Sequence, residues 1–180
     1  MASKQHAILS ASGADRWIHC PPSARLCETY EDKGSDYAAE GTDAHALAEF
    51  KLKKVLGLPA DDPTDGLSWY SEEMDDCTSG YAEFVLEQVE AAKKTCADPV
   101  VLIEQRVDFS RWVEQGFGTA DCVVIADGTL RVIDFKYGLG VLVSAEENPQ
   151  MQCYALGALE LFDDIYDIDQ VSMTIYQPRR

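Results

Sequence analysis

Asp121, Asp134 and Lys136 stand on two strand-like runs, Thr119 to Ala126 and Thr129 to Lys136, joined by Asp127-Gly128. Asp-Gly between β-rich runs is a strong hairpin signal. With those two residues as the turn, Ala126 faces Thr129, Ile125 faces Leu130, Val123 faces Val132, and Asp121 faces Asp134. Facing residues share one side of the sheet, with Cβ atoms about 4.5–5.5 Å apart. Lys136, two residues beyond Asp134, points the same way. Two carboxylates so placed repel unless something neutralises them. A divalent cation would do so, and hard oxygen donors suit Mg²⁺, Mn²⁺ or Ca²⁺. The plainer reading is a solvated strand end where Lys136 balances two acids, and a bulge would break the pairing.

Two helical pairs could join this cluster. His45 and Glu49 lie four apart, as do Gln150 and Tyr154, so each pair shares a helix face. Taken alone, His45 reads as a solvated or packed histidine, and Gln150 and Tyr154 as ordinary helix-surface residues.

The elements that carry these residues follow from periodicity. Ser10 to Trp17 predicts a capped short helix ending before Pro21-Pro22. Thr42 to Val55 predicts a helix with Thr42 as N-cap and Ala44, Leu47, Ala48 and Leu52 as its apolar face. Gly57 to Asp76, acidic and punctuated by Pro and Gly, predicts a long surface connection. Tyr81, Phe84, Val85, Val89 and Ala92 recur at helical spacing. Val100 to Val107 is strand-like, Val141 to Ala145 suggests another strand, and Val171 to Tyr176 a last one. Asn148-Pro149 opens a helix to about Leu161, with Asn as cap and Pro in the first turn. Helices, then a meander, then helix and strand predict an α+β (mixed α/β) fold, with a central mixed sheet flanked by helices. No internal repeat or low-complexity tract interrupts the chain.

Charge opposes one class of partner. Thirty-two acidic against 15 basic residues give −17, and affinity for DNA ordinarily rests on neutralising phosphate. Acids gathered in a site are different, because they can hold cations. With 46% apolar residues the chain can bury a core, and no run nears the roughly 20 apolar residues of a membrane span. Met1 to His6 lacks the apolar stretch of a secretory signal, so a cytoplasmic protein is expected. The six cysteines contain no C-x-x-C pair and read as reduced, buried or semi-buried thiols.

The motifs together resemble the RecB-like branch of the PD-(D/E)XK nuclease superfamily, in that family's order. Glu40-Gly41-Thr42-Asp43-Ala44-His45 through Glu49 resembles the helix with a histidine ligand. Gly116-Phe117-Gly118-Thr119-Ala120-Asp121 resembles the segment with the first acidic ligand. Ile133-Asp134-Phe135-Lys136-Tyr137-Gly138 resembles the D-x-K strand. Gln150-Met151-Gln152-Cys153-Tyr154 resembles the Q-x-x-x-Y helix, and Ser10 to Cys20-Pro21 the N-terminal helix with its "CP". With Asn148-Pro149-Gln150 and Gln177-Pro178-Arg179, nearly the whole chain resembles an uncharacterised phage and prophage family of that superfamily.

The resemblance implies a restriction-endonuclease-like core over residues 1–180. It also implies a Mg²⁺- or Mn²⁺-dependent deoxyribonuclease, an exonuclease more than an endonuclease, in phage replication or recombination. Its partners would be DNA, single- or double-stranded, and phage recombination or replication proteins, in the cytoplasm of an infected or lysogenic host. His45, Asp121, Asp134 and the Phe135 carbonyl would ligate the metal, and the imidazole leans the site toward Mn²⁺. The cation would polarise the scissile phosphate and activate a water. Asp121, Asp134 and Lys136 would be catalytic, Lys136 orienting that water and stabilising developing charge. Gln150 and Tyr154 would support the site or touch the DNA backbone, and Glu104 would add an outer carboxylate or stand as a plain strand-surface acid.

Some relatives hold an iron–sulfur cluster with one N-terminal and three C-terminal cysteines. Cys20 fits the first place but the trio is absent, so no cluster is expected. The end at Gln177-Pro178-Arg179-Arg180, just after a strand, suggests a fragment or a short version of a longer protein. Two other readings accommodate the acidic surface: a non-catalytic adaptor on a nuclease scaffold in a phage recombination complex, and an acidic DNA mimic.

Overall fold

The fold is that of a computed structural model, which describes residues 7–30 and 34–180. Met1 to His6, read above for a leader, lie outside the described residues.

A mixed sheet of four strands forms the centre: β1 (Val100–Asp108), β2 (Phe117–Ala126), β3 (Thr129–Phe135) and β4 (Gln170–Tyr176), in that spatial order. β2 runs antiparallel to both β1 and β3, and β4 lies parallel to β3. A parallel neighbour needs a crossover, and the helix α5 (Pro149–Tyr166) supplies it. The fold class is α+β, as the sequence predicts.

The β2–β3 hairpin has the expected register: Ala126 pairs with Thr129, Ile125 with Leu130 and Val123 with Val132. Asp127 and Gly128 both have positive φ (51° and 70°), the type I′ geometry that Asp-Gly favours.

Each face of the sheet buries its own core. Ala11, Ala14, Val123, Ile125, Leu130, Val132, Met151 and Ala158 form one cluster, so α5 and the helix α1 (Ala14–His19) cover that face. Ala44, Leu47, Leu52, Tyr81, Val85, Val124, Ile133 and Phe135 form the other, under α3 (Asp36–Val55) and α4 (Glu72–Ala92). A sheet covered on both sides has apolar residues at successive positions, which is why Cys122 to Ala126 is buried throughout.

Several expected boundaries move. α3 begins six residues earlier than Thr42. Ser35 is its cap, accepting the Ala38 amide, while the Thr42 hydroxyl bonds back to the Ala38 carbonyl inside the helix. The long connection ends at Ser71, not Asp76. Ser71 caps Met74, and Glu72, Glu73 and Asp75 put negative charge at the positive end of α4. α5 runs on past Leu161 to Tyr166. Val141 to Ala145 is no strand. Its chain is held by the Gln177 side chain, which accepts the Val143 amide and donates to the Gly138 and Val141 carbonyls, and Val141 is 85% exposed. Of the cysteines, Cys122 and Cys153 are buried and Cys77 and Cys96 partly so. Cys20 and Cys27 are exposed, because Cys20 caps α1 and Cys27 lies on the outer side of the short helix α2 (Pro22–Glu28).

Candidate metal centre

The β1–β2 ladder pairs Ile103 with Cys122 and Gln105 with Ala120, and skips Glu104 and Asp121 between them. Glu104 has φ 51°, a conformation a glutamate rarely adopts. Side chains on a strand alternate between faces. Yet Leu102 and Val107 pack in one cluster, as do Ala120 and Val123, each pair an odd number of residues apart. The alternation is therefore reset on both strands at the skipped position.

This reset decides where Asp121 points. Asp121 Oδ1 lies 3.4 Å from His45 Nδ1 on α3, and Oδ2 accepts the Phe135 amide at 2.7 Å. The expected ladder pair Asp121–Asp134 is not made: the paired positions stop at Cys122 with Ile133. Instead, one donor atom from each of His45, Glu104 and Asp121 falls within 4.8 Å of the others. Asp134 stands outside that trio and Glu104 within it. The contact made by the Phe135 main chain is its amide on Asp121, and its ring lies 5.5 Å from His45, edge to face.

Asp134 belongs to a second group. It is 2% exposed. Lys136 Nζ sits 2.8 Å from its Oδ2, off the direction of a hydrogen bond. Gln150 ties the pair together: its Oε1 accepts from Lys136 at 3.0 Å, and its Nε2 faces Asp134 Oδ1 at 3.4 Å and Tyr154 Oη at 2.9 Å. Gln150 and Tyr154 thus support Lys136 and Asp134. Both groups open onto one cleft of about 700 Å³, lined by His45, Glu49, Glu104, Asp121, Asp134, Lys136, Gln150 and Tyr154.

The electrostatics follow from crowding. Burial, then the Asp121 charge, push the Asp134 carboxyl up to about 6, against the opposing pull of Lys136 and His45. Burial opposes a charge on His45, but the Asp121 hydrogen bond and the carboxylates of Asp121, Asp134 and Glu104 outweigh it and raise its pKa. Burial raises the Tyr154 phenol above its ordinary value.

A family model described as "Protein of unknown function (DUF2800)" matches residues 6–180. The chain belongs to the DUF2800 family. No solved structure matches. The matched span of this DUF2800 chain includes every residue of both groups.

Sequence reasoning missed one part of this frame. Arg179 is 8% exposed, pairs with Glu40 on α3 and Glu73 on α4, lies over the Tyr137 ring and reaches the Tyr137 carbonyl. It fastens the chain just after Lys136 to two helices. Its signal was visible as Gln177-Pro178-Arg179, though not its purpose.

Proposed function

We propose that this protein is a Mg²⁺- or Mn²⁺-dependent DNA nuclease, with His45, Glu104 and Asp121 as metal ligands. The observation that carries this reading is the convergence of those three donors beside a buried, ammonium-paired Asp134. One imidazole and two carboxylates suit a hard to borderline divalent cation and favour Mn²⁺ over Mg²⁺. Bonds of about 2.1 Å put opposed ligand atoms about 4 Å apart, so a cation would need to draw the trio in only slightly. Asp134 Oδ2 lies buried against the Lys136 ammonium and, among the described residues, accepts no hydrogen bond, at the edge of the same cleft.

The cation would supply charge to polarise a scissile phosphate and activate a water. Lys136, held by Asp134 and Gln150, presents a fixed ammonium to the cleft, where it stabilises negative charge and orients a hydroxyl or water. Gln150 and Tyr154 fix that ammonium rather than reaching for DNA. Phage recombination or replication proteins are the partners this reading implies.

End-labelled linear single- and double-stranded DNA tests it, incubated with Mn²⁺, Mg²⁺ or EDTA beside Asp121→Asn. Metal-dependent loss of label that disappears in the variant is expected. Undiminished cleavage by the variant, or cleavage in EDTA, overturns the reading. The net charge of −17 favours the adaptor as second reading, and a protein that neither binds Mn²⁺ nor cleaves supports it.

A further inference from the structure

A second groove, of about 480 Å³, adjoins the metal cleft and shares Ser12, Glu49, Glu104 and Tyr154 with it. That volume lies in the range of about 300–1,000 Å³ common for ligand sites. Its floor is the reset end of β1 and β2. There the Arg106 guanidinium carbon sits 3.8 Å from the centroid of the Phe117 ring. Arg106 is exposed, and among the described residues it makes no ion pair. Thr119 is its partner across the ladder, and the Ser10 and Ser12 hydroxyls lie 3.3 Å apart on the groove wall.

An exposed guanidinium seated 3.8 Å over an aromatic ring offers a planar group that can present its other face to a ligand. That face can stack on a nucleobase while its N–H edge donates to phosphate. A lysine could supply the charge but not the plane. The hydroxyls of Ser12 and Thr119 add neutral donors of the kind that bind a phosphodiester backbone. The two acids of the groove are already engaged: Glu49 pairs with Lys53, and Glu104 belongs to the metal trio. In a chain of net charge −17, Arg106 and Lys136 are the basic residues lining the two joined clefts.

We infer that this groove is a single-strand subsite, in which Arg106 on Phe117 stacks an unpaired base of the strand entering the metal cleft. The inference rests on the nuclease reading and narrows its substrate, because a base in a duplex has its faces covered by its neighbours. It makes Arg106 and Phe117 binding residues, distinct from the metal ligands.

The test is fluorescence anisotropy of a labelled oligodeoxythymidylate on the full chain, with Ca²⁺ present, using wild type, Arg106→Ala, Arg106→Lys and Phe117→Leu. Base stacking on such a platform is worth about a tenfold change in affinity or more. Arg106→Ala and Arg106→Lys should both lose about tenfold, and Phe117→Leu should weaken binding in the same direction. Mn²⁺ affinity by calorimetry should be unchanged in all three, which also reports that they are folded. Wild-type affinity in Arg106→Ala, or in Arg106→Lys, overturns the stacking subsite and leaves the nuclease reading standing. A wild type that cleaves no DNA and binds no Mn²⁺ overturns that reading, and the subsite with it.

Discussion

Glu104 and Asp121 stand opposite each other across β1 and β2 at the position where the ladder skips a pair. Two carboxylates at one skipped position repel, and Glu104 also holds a backbone conformation that costs about 1–3 kcal/mol. Strain and repulsion at one point have a common remedy in a cation shared by both acids and His45.

Glu104→Gln should therefore weaken Mn²⁺ binding. Because Glu104 would be a direct ligand, the loss should reach at least the roughly 10–100-fold seen when supporting partners of ligands are removed. Calorimetric titration of Glu104→Gln beside Asp134→Asn checks this. A large loss only in Asp134→Asn would restore the ligand set that the family resemblance implies, with Glu104 as an outer acid.

Asp134 carries a pH prediction for the metal-free protein. Its folded pKa is about 6 against an ordinary 3.8, so between those values the folded state holds more proton than the unfolded one. Stability from this group is greatest below about pH 4 and is lost as pH rises through about 6. Asp134→Asn cannot ionise and should be the more stable protein at pH 7, by on the order of 1–3 kcal/mol. Thermal melts in EDTA across pH 4 to 8 check it. The difference between variant and wild type should shrink toward the acid end, and a constant difference would mean that burial of a charge is not its cause.

Lys136→Met removes the ammonium beside Asp134 and leaves a buried carboxylate without its counter-ion. Cleavage should fall by about 10²-fold or more, since the fixed positive charge at the cleft is gone. Mn²⁺ affinity should change little, because Lys136 touches none of the three ligands in the trio. The variant should also be less stable at pH 7 than at pH 5, where Asp134 can protonate. Single-turnover cleavage with Mn²⁺ calorimetry separates these effects, and full activity in Lys136→Met would remove Lys136 from the chemistry.

What the sequence made legible was whatever has a local signal. Asp127-Gly128 set the hairpin and hence the pairing of five positions, and Asn148-Pro149 set the start of α5. The helix faces of α3 and α4 followed from spacing. The reset at Glu104 and Asp121 has no such signal, because a glutamate at positive φ looks like any other strand residue. Continuing the hairpin register past Cys122 therefore put Asp121 on the face of Val123 and Val132, when its carboxylate turns to His45. The same reset brought Glu104 from the edge of the expected site to its centre. The Gln177-Pro178-Arg179 motif was visible, but not what it holds, since Gln177 and Arg179 act through partners more than 30 residues away.

Gly118 tests whether the helix-borne support of Lys136 matters. A Cβ there would come within 2.8 Å of the Tyr154 ring and 2.9 Å of the Ala11 Cβ, both buried. Gly118→Ala must push Tyr154 away from β2, and Tyr154 holds the Gln150 amide that receives the Lys136 ammonium. Overpacking of this kind costs about 1–3 kcal/mol, measurable by urea denaturation. The His45, Glu104 and Asp121 donors lie outside that chain of contacts, so Mn²⁺ affinity should hold while cleavage falls. Loss of stability with full cleavage would show that Tyr154 and Gln150 serve the core alone, and that the position of Lys136 is set by Asp134 without them.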